Sequence, residues 1–364
     1  MESIFEPFAE RIRAAAAGGT PLRIRGGGSK DFYGERLEGE LLDTAPLAGI
    51  TSYEPTELVV TALAGTPLAE LERALAERGQ CLPFEPPHFG GGATVGGMVA
   101  SGLSGPARAS VGSVRDYVLG LTMINGRGEV LTFGGQVMKN VAGYDLSRLM
   151  AGALGTLGLI VEVSLKVLPV PPGQATLNFE LGQAEALRRL NTWGGQPLPL
   201  NASCWVEDQG VATLYLRLRG AVAAVEAACR SLGGERQDES RVAADWDACR
   251  DQRLPWFGER GARDLWRLAV AQTAPVLDLP EPPLVEWHGG QRWVRAEPGL
   301  AEQLRRVASQ AGGHATLFAP GAGRTGVSGR FAPLAGPLDR IHRDLKRQFD
   351  PAGILNRGRL APDF

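Results

Sequence analysis

Glycine is the residue that most restricts how this chain can fold, because it is concentrated in one region. The 364 residues include 49 glycines, and 17 of them fall between Pro86 and Ile160. Glycine loses more backbone entropy on folding than any other residue, so such a concentration has to serve a purpose. Tight turns and close approach of the main chain to a ligand are the two usual purposes.

Length and charge narrow the class of protein. A chain of 364 residues exceeds one ordinary core and suits two domains. Hydrophobic residues make up 44% and charged residues 21%, as in soluble globular proteins. The net charge of −2 provides no field that attracts polyanions, so nucleic acid is not expected as a partner.

The N-terminus and the lack of long apolar runs bear on location. Residues 2–17 predict an amphipathic helix ended by Gly18 and Gly19, rather than a signal peptide. No run of about 20 apolar residues occurs, which predicts no membrane span and at most indirect membrane contact. We therefore expect a cytoplasmic protein.

The four cysteines form no metal-binding pattern. None belongs to a C-x-x-C pair, which argues against an iron–sulfur cluster or a zinc ribbon, and no metal site is predicted. Each is interpreted as an isolated buried thiol: Cys81, Cys204, Cys229 and Cys249.

The order of the predicted elements indicates an α+β fold. Strands over 22–25 and 58–62 are followed by a helix in which Thr66 is the expected N-cap and Pro67 the first helical residue. Asn125-Gly126-Arg127-Gly128 joins strands 117–124 and 129–133 as a hairpin. Residues 159–167 alternate apolar and polar side chains, which predicts a half-buried strand.

The composition of the sequence changes near Val170, from glycine-rich to tryptophan-rich. All seven tryptophans lie between residues 175 and 320, where strand-like and helix-like runs alternate. This region predicts a smaller domain with an antiparallel sheet and helices on one face. A last helix is expected over 338–349. The predicted domains are 1–170, in two lobes with a boundary near residue 60, then 171–332, and a C-terminal segment 333–364 that returns to the first domain.

Three glycine-rich segments are candidates for ligand contact. Their main-chain N–H groups could converge on an anion, although tight turns or a closely packed core would need the same residues. The first segment does not follow G-x-G-x-x-G and opens no evident helix, and the P-loop pattern G-x-x-x-x-G-K-[ST] is absent from the sequence, which argues against those nucleotide sites. The segments are Arg25 to Ser29, Gly90 to Gly97 with Ser101 and Gly102, and Ala151 to Gly158.

The order of these segments resembles the vanillyl-alcohol oxidase superfamily, whose FAD-binding domain is of the PCMH type. The tail Asp350-Pro351-Ala352-Gly353-Ile354-Leu355-Asn356 matches the usual C-terminal signature of that superfamily. Further segments resemble the family of FAD-binding glycolate oxidase subunits: Val95 to Pro106, Lys139 to Leu146 and Gly313 to Phe318. The resemblance implies a two-lobed FAD-binding domain with a smaller cap domain.

The resemblance also implies roles for individual residues. Arg25, Gly26, Gly27, Gly28 and Ser29 would hold the FAD pyrophosphate. The ribityl and flavin region would be lined by Thr94, Gly96, Gly97, Ser101 and Gly102, with Gly155 in the third segment. Contact with the adenine side is expected from Gly112 and Val161, and proximity to the isoalloxazine from Asn356. Many relatives tether FAD through a histidine where this chain has Ser29, so noncovalent FAD is expected.

Whether the chain oxidises a substrate by itself is left open by its histidines. Oxidation of a 2-hydroxy acid requires a cation for the carboxylate and a base for the hydroxyl proton. His88, His288, His314 and His342 form no H-x-H or H-x-x-x-H pair. His314 and Arg292 are weak catalytic candidates, with a structural histidine and a surface or ion-paired arginine as the alternatives.

Three functions therefore remain open. The resemblance implies an accessory or electron-relaying FAD subunit of a glycolate oxidase complex, which converts glycolate to glyoxylate. Its partners would be a catalytic flavoprotein subunit and an iron–sulfur subunit. The alternatives are a stand-alone FAD-dependent oxidoreductase of a small 2-hydroxy acid or alcohol, and a scaffold subunit without FAD.

Overall fold

The computed structural model describes residues 2–135, 145–362 and 364, which form two compact units. Unit 1 comprises Met1–Leu103, Ser113–Pro169 and Pro333–Phe364, and unit 2 comprises Ser104–Gly112 and Val170–Ala332. Most of the segment from Lys139 to Leu146, which carries part of the family resemblance, lies outside the described residues. The sequence prediction differs from these units at 104–112, which it placed in the first domain.

Unit 1 is built on an antiparallel five-stranded sheet. Its strands, in spatial order, are Ile50–Glu54, Val59–Leu63, Leu159–Lys166, Val118–Ile124 and Val130–Gly134. The strand Leu159–Lys166 is central and is buried on both faces except at two positions, so the prediction of a half-buried strand is wrong. Its alternating Ser164 is accommodated because it hydrogen-bonds Thr61 on the neighbouring strand at 2.8 Å.

Unit 1 also contains a smaller parallel pair of strands, Leu22–Arg25 with Glu40–Asp43. The change to the five-stranded sheet falls between Asp43 and Ile50, earlier than the predicted lobe boundary near residue 60, because Ile50–Glu54 pairs with Val59–Leu63. A short pair joins Gln80–Cys81 to Leu168–Pro169. The helices are Glu2–Gly18, Leu68–Ala76, Val95–Ser101, Val114–Tyr117, Leu146–Leu149 and Gly336–Phe349.

Thr66 does not cap the helix Leu68–Ala76, as the sequence suggested. Its hydroxyl donates to the carbonyl of Leu63 at 2.7 Å and accepts from the amide of Gly49 at 2.9 Å, while Pro67 occupies the N-cap position without a side-chain bond. Thr66 thus fixes the turn that enters the helix. The helix buries the predicted apolar face of Leu68, Leu71 and Leu75.

Unit 2 is an antiparallel eight-stranded sheet. Its strands, in spatial order, are Glu235–Arg236, Gly173–Glu180, Val211–Gly220, Leu200–Asp208, Leu284–Glu286, Gln291–Ala296, Asp264–Ala269 and His314–Ala319. Its helices are Arg108–Val111, Gln183–Gly194, Val222–Leu232, Glu239–Arg250, Pro255–Gly258 and Ala301–Gln310. Together the two units confirm the predicted α+β class.

Helices lie on both faces of this sheet, not on one as predicted. Gln183–Gly194 and Val222–Leu232 pack on the face that carries Leu214, Leu216 and Leu218. Glu239–Arg250 packs on the opposite face, where the indole of Trp246 donates to the hydroxyl of Thr176 at 3.1 Å. Side chains alternate between the faces of a strand, so the two helix layers contact different residues of the same strands.

The segment Ser104–Gly112 belongs to unit 2 because it hydrogen-bonds a tight turn at Trp287 and His288. The indole of Trp287 donates to the carbonyl of Gly105 at 3.0 Å, and Nε2 of His288 lies 2.9 Å from the hydroxyl of Ser110. Trp287 and His288 have φ values of 54° and 52°, a conformation that is strained for large side chains. These contacts join residues far apart in sequence, which explains why a sequence pattern missed them.

Among the described residues, none of the helices has the length and apolar character needed to cross a membrane.

Candidate cofactor site

The three glycine-rich segments and the C-terminal tail surround one cleft in unit 1. The cleft is open to solvent and comprises about 760 Å³ of space including its mouth. The predicted cofactor residues that line it are Arg25, Gly26, Gly27, Gly28, Ser29, Thr94, Gly96, Gly97, Ser101, Gly155 and Asn356.

The first glycine segment presents main-chain donors to the cleft. It leaves the strand Leu22–Arg25 and turns at Gly28, which has a φ of 74°. The Arg25 guanidinium is held over this turn by Asp31, with Nε and Oδ2 2.7 Å apart. The amides of Gly27, Gly28 and Ser29 donate to no acceptor among the described residues. Converging free N–H groups next to a cation suit a phosphate anion.

The first and second segments contact each other through their main chains. A Cβ atom on Gly27 would overlap the carbonyl of Gly92, and one on Gly26 would lie 2.5 Å from the hydroxyl of Thr94. These glycines are therefore required for loop-to-loop packing as well as for access to a ligand. Both purposes considered for the glycine concentration apply here.

The second segment leads into the short helix Val95–Ser101. Thr94 caps it, because its hydroxyl accepts from the amide of Gly97 at 3.2 Å. Gly96 allows the helix to lie against Ala64, whose Cβ would be 2.7 Å from a Cβ at position 96. The Ser101 hydroxyl donates to the carbonyl of Met98 at 3.0 Å, which leaves an acceptor, not a donor, for a ligand.

Asn356 joins the tail to two walls of the cleft. Its Oδ1 accepts from the amide of Ile24 at 2.7 Å, and its Nδ2 donates to the carbonyl of Leu154 at 2.6 Å. Gly155 is needed beside it, since a Cβ there would lie 2.6 Å from Nδ2. The side-chain amide of Asn356 is thus a structural bridge, and its proximity to the isoalloxazine stays a prediction.

A buried ion pair at the end of the last helix was missed from the sequence. Lys346 Nζ lies 2.8 Å from Oδ2 of Asp350 and donates to the carbonyls of Thr156 and Leu355, also at 2.8 Å. Burial lowers the pKa of Lys346, and the Asp350 carboxylate opposes that shift. The pair fastens the third glycine segment to the tail. The i, i+4 spacing of the two residues was the available signal.

Two further cations of the cleft were also missed. Arg359 donates to the carbonyls of Lys30 at 3.2 Å and Asp31 at 3.1 Å, and it lines the cleft with Lys30. With Arg25 they outnumber the carboxylate of Asp31. This charge and the free amides of the first segment fit the diphosphate of FAD, which carries two negative charges.

Three predicted cofactor residues do not line the cleft. Gly102 ends the helix Val95–Ser101 with a φ of 65° and packs against Gly152. Gly112 belongs to unit 2. Val161 is fully buried in the apolar cluster beneath the helix Glu2–Gly18, because its side chain points away from the cleft on a central strand. The predicted contacts of Gly112 and Val161 with the adenine side of FAD stay predictions.

Neither weak catalytic candidate lines the cleft. His314 is the exposed first residue of an edge strand in unit 2. Arg292 is fully buried in unit 2 and donates to the carbonyls of Gly289 and, at 3.4 Å, Ala274. Burial lowers the pKa of Arg292 to about 10. The alternative of a surface or ion-paired arginine is therefore wrong, since its described acceptors are main-chain carbonyls.

Comparisons with known proteins agree with this geometry. The family described as FAD binding domain matches residues 6–134. Glycolate oxidase subunit GlcE of Escherichia coli is 47% identical over 352 residues, covering 96% of this chain and 95% of the relative. Glycolate oxidase subunit GlcD of Bacillus subtilis is 34% identical over 128 residues, covering 35% of this chain and 27% of the relative.

A solved structure shares the fold. Alkyldihydroxyacetonephosphate synthase aligns with a TM-score of 0.65 at 14% identity, covering 96% of this chain and 73% of that one. This similarity shows the PCMH-type FAD-binding fold alone. With the identity to the Escherichia coli subunit over nearly the whole length, the chain belongs to the family of FAD-binding glycolate oxidase subunits.

Proposed function

We propose that this chain is the accessory or electron-relaying FAD subunit of a glycolate oxidase complex. The complex oxidises glycolate to glyoxylate, beside a catalytic flavoprotein subunit and an iron–sulfur subunit. The observation that supports this most is the cleft of unit 1, where three glycine segments and the tail present free amides and three cations. Two relatives are named as subunits of glycolate oxidase, which supports the proposal that this chain works in a complex.

The residues of the cleft would hold FAD without a covalent bond. FAD, when bound, supplies an acceptor for the electrons of a substrate or of another subunit. Arg25, Lys30 and Arg359, with the amides of Gly27 and Gly28, would bind its diphosphate. Ser29 occupies the position of the tethering histidine, and an unactivated serine hydroxyl forms no bond to the flavin ring.

Release of FAD on denaturation tests the binding mode. The purified chain is denatured in acid and filtered, and FAD is expected in the filtrate in about equal amount to protein. Flavin retained on the polypeptide would contradict the noncovalent mode. A colourless chain that cannot be reconstituted with FAD would favour the scaffold function instead.

Turnover of the same preparation tests the accessory function. We expect no flavin reduction when the chain alone is mixed with glycolate or D-lactate, and activity when it is combined with its partner subunits. Rapid reduction of the isolated chain by either acid would identify a stand-alone oxidoreductase.

We also propose a cytoplasmic location with membrane contact only through partner subunits. The similarity to a bacterial glycolate oxidase subunit over nearly the whole length supports this proposal. Cell fractionation is the test, and recovery of the isolated subunit in salt-washed membranes would contradict it.

A further inference from the structure

Unit 2 contains a cavity that its sheet and one helix leave between them. The cavity has a volume of about 740 Å³ including its mouth. One wall is a strand face and the other a helix face, as the spacing of the lining residues shows. These residues are Cys204, Val206 and Asp208 on one strand, Tyr215 on the next, Val242, Asp245, Trp246 and Cys249 on the helix, and Leu254, Pro255 and Trp256 beyond it.

Two adjacent thiols are part of the lining. Cys204 and Cys249 are side by side, so the prediction of four isolated thiols is wrong for this pair. The Cys249 thiol donates to Oε1 of Glu286 at 3.2 Å. The neighbouring Cys204 thiol, burial and the Glu286 carboxylate hold the pKa of Cys249 well above its usual range. A protonated thiol is a poor nucleophile and metal ligand, so Cys249 contributes apolar surface rather than redox or metal chemistry.

The aromatic walls are held in place from outside the cavity. Arg217 lies over the ring of Trp246 at 4.7 Å, and Arg295 over the ring of Trp256 at 4.5 Å. Arg295 is itself fixed by Glu281, with Nε and Oε1 2.7 Å apart. Rigid indoles give a preformed apolar surface, which lowers the entropic cost of binding a ligand.

The polar groups of the cavity attract cations and repel anions. Asp208 and Asp245, both exposed, line the cavity together with Tyr215. Burial, then Cys204 and these two carboxylates, raise the pKa of Tyr215. None of the described lining residues is Arg, Lys or His. A ligand carboxylate or phosphate would meet like charge here, whereas an ammonium would meet two carboxylates and aromatic rings.

We propose that this cavity binds a small amphiphilic amine. An aromatic ring or short alkyl chain would pack against Val206, Val242 and Trp256, and the ammonium group would face the exposed carboxylates of Asp208 and Asp245. The site is separate in composition from the cleft of unit 1. Its charge excludes glycolate and other hydroxy acids as its ligands.

Titration of the full FAD-loaded chain with phenethylamine tests this proposal. Binding is followed by calorimetry and by tryptophan fluorescence, which reports unit 2 because all seven tryptophans lie there. Phenethyl alcohol and hydrocinnamate serve as neutral and anionic probes of similar shape. We expect phenethylamine to bind about tenfold more tightly than hydrocinnamate, less so at high salt, and flavin absorbance to stay unchanged.

Matched variants of one helix separate charge from folding. Asp245→Asn should weaken phenethylamine binding about fivefold and remove the preference over phenethyl alcohol. Asp247→Asn should leave binding unchanged, since that 60% exposed carboxylate pairs with Arg250 and does not line the cavity. Equal affinity for the three probes, no binding of the amine at millimolar concentration, or wild-type affinity in Asp245→Asn would overturn the proposal. Flavin content, measured in each sample, tests the function of unit 1 independently.

Discussion

The cleft of unit 1 and the cavity of unit 2 enclose similar volumes when their open mouths are included, but different kinds of groups line them. Glycine main chain and three cations line the cleft, whereas side chains, two of them carboxylates, line the cavity. The cleft is held together by a charged tail residue, Lys346, and the indoles of the cavity are held by Arg217 and Arg295. One chain has thus formed two sites with opposite charge preference.

This difference in lining predicts which substitutions each site tolerates. Main-chain sites depend on how closely two loops can approach, because no side chain can adjust when a Cβ is added. Side-chain sites depend on packing between layers and tolerate isosteric substitution better. The two sites also have different reporters, since FAD belongs to the cleft and all the tryptophans lie in unit 2.

Removal of the buried tail cation should give the largest effect, and it should be confined to the cleft. Lys346→Met leaves the carboxylate of Asp350, whose side chain is fully buried, without its cation. We expect a loss of about 3–5 kcal/mol in the free energy of unfolding and loss of FAD. Urea unfolding followed by circular dichroism measures the stability, and the flavin absorbance of the purified variant measures the FAD content.

Arg347→Met is the control for that variant, because the Arg347 side chain is 71% exposed on the same helix. Its unfolding free energy should stay within about 0.5 kcal/mol of wild type. Unchanged FAD retention in Lys346→Met would show that the tail does not hold the cleft together.

Disruption of the contact between the first and second glycine segments should give the next largest loss of stability. In Gly27→Ala the new methyl group overlaps the carbonyl of Gly92, and a main-chain atom cannot rotate away. We expect a destabilisation of about 3 kcal/mol and weaker FAD binding, with normal tryptophan fluorescence. Gly91→Ala, where a Cβ meets no atom within 4 Å, should retain FAD. If both variants retain stability and FAD alike, the contact between Gly27 and Gly92 is not what holds the two loops together.

Mild acid should give a smaller effect, in unit 2. Burial lowers the pKa of His288 to about 4, against 6.5 in the unfolded chain. Its folded pKa is depressed, so the unfolded chain binds the extra proton and stability falls as the pH drops from about 6.5 to about 4. The slope approaches about 1.4 kcal/mol per pH unit, or about 2 kcal/mol between pH 6 and 4.5.

Urea unfolding followed by tryptophan fluorescence at several pH values measures this slope. His288→Asn is the matched variant, because asparagine tolerates the left-handed backbone at this position. The variant should lose less stability than wild type over the same pH range. Parallel pH profiles for the two proteins would assign the acid sensitivity of unit 2 to other groups.

Local patterns gave much of this architecture from sequence alone. The strand Leu22–Arg25, the helix Leu68–Ala76 and the hairpin around Gly126 were all predicted close to their observed bounds. Such elements depend on periodicity and turn residues that are neighbours in sequence. The three glycine segments and the tail signature likewise indicated FAD, because their order along the chain is characteristic of the family.

Contacts between distant residues were decided only by the tertiary structure. Arg359 reaches the first glycine segment and Lys346 reaches the third because the tail folds back onto them, 329 and 190 residues away in sequence. Hydrogen bonds from Trp287 and His288 hold residues 104–112 in unit 2, which the sequence had assigned to the first domain. A pattern along one segment carries no information about which remote segment will face it.

The sequence by itself therefore determined the α+β class, the family and the glycine segments of the cofactor cleft. Only the tertiary structure decided the charge of the cleft, the burial of Val161 and Arg292, and the cavity beside Cys204 and Cys249. The physical reason is that secondary structure and turns follow from local periodicity and backbone freedom. Burial and electrostatic environment depend on the layers that pack together in space.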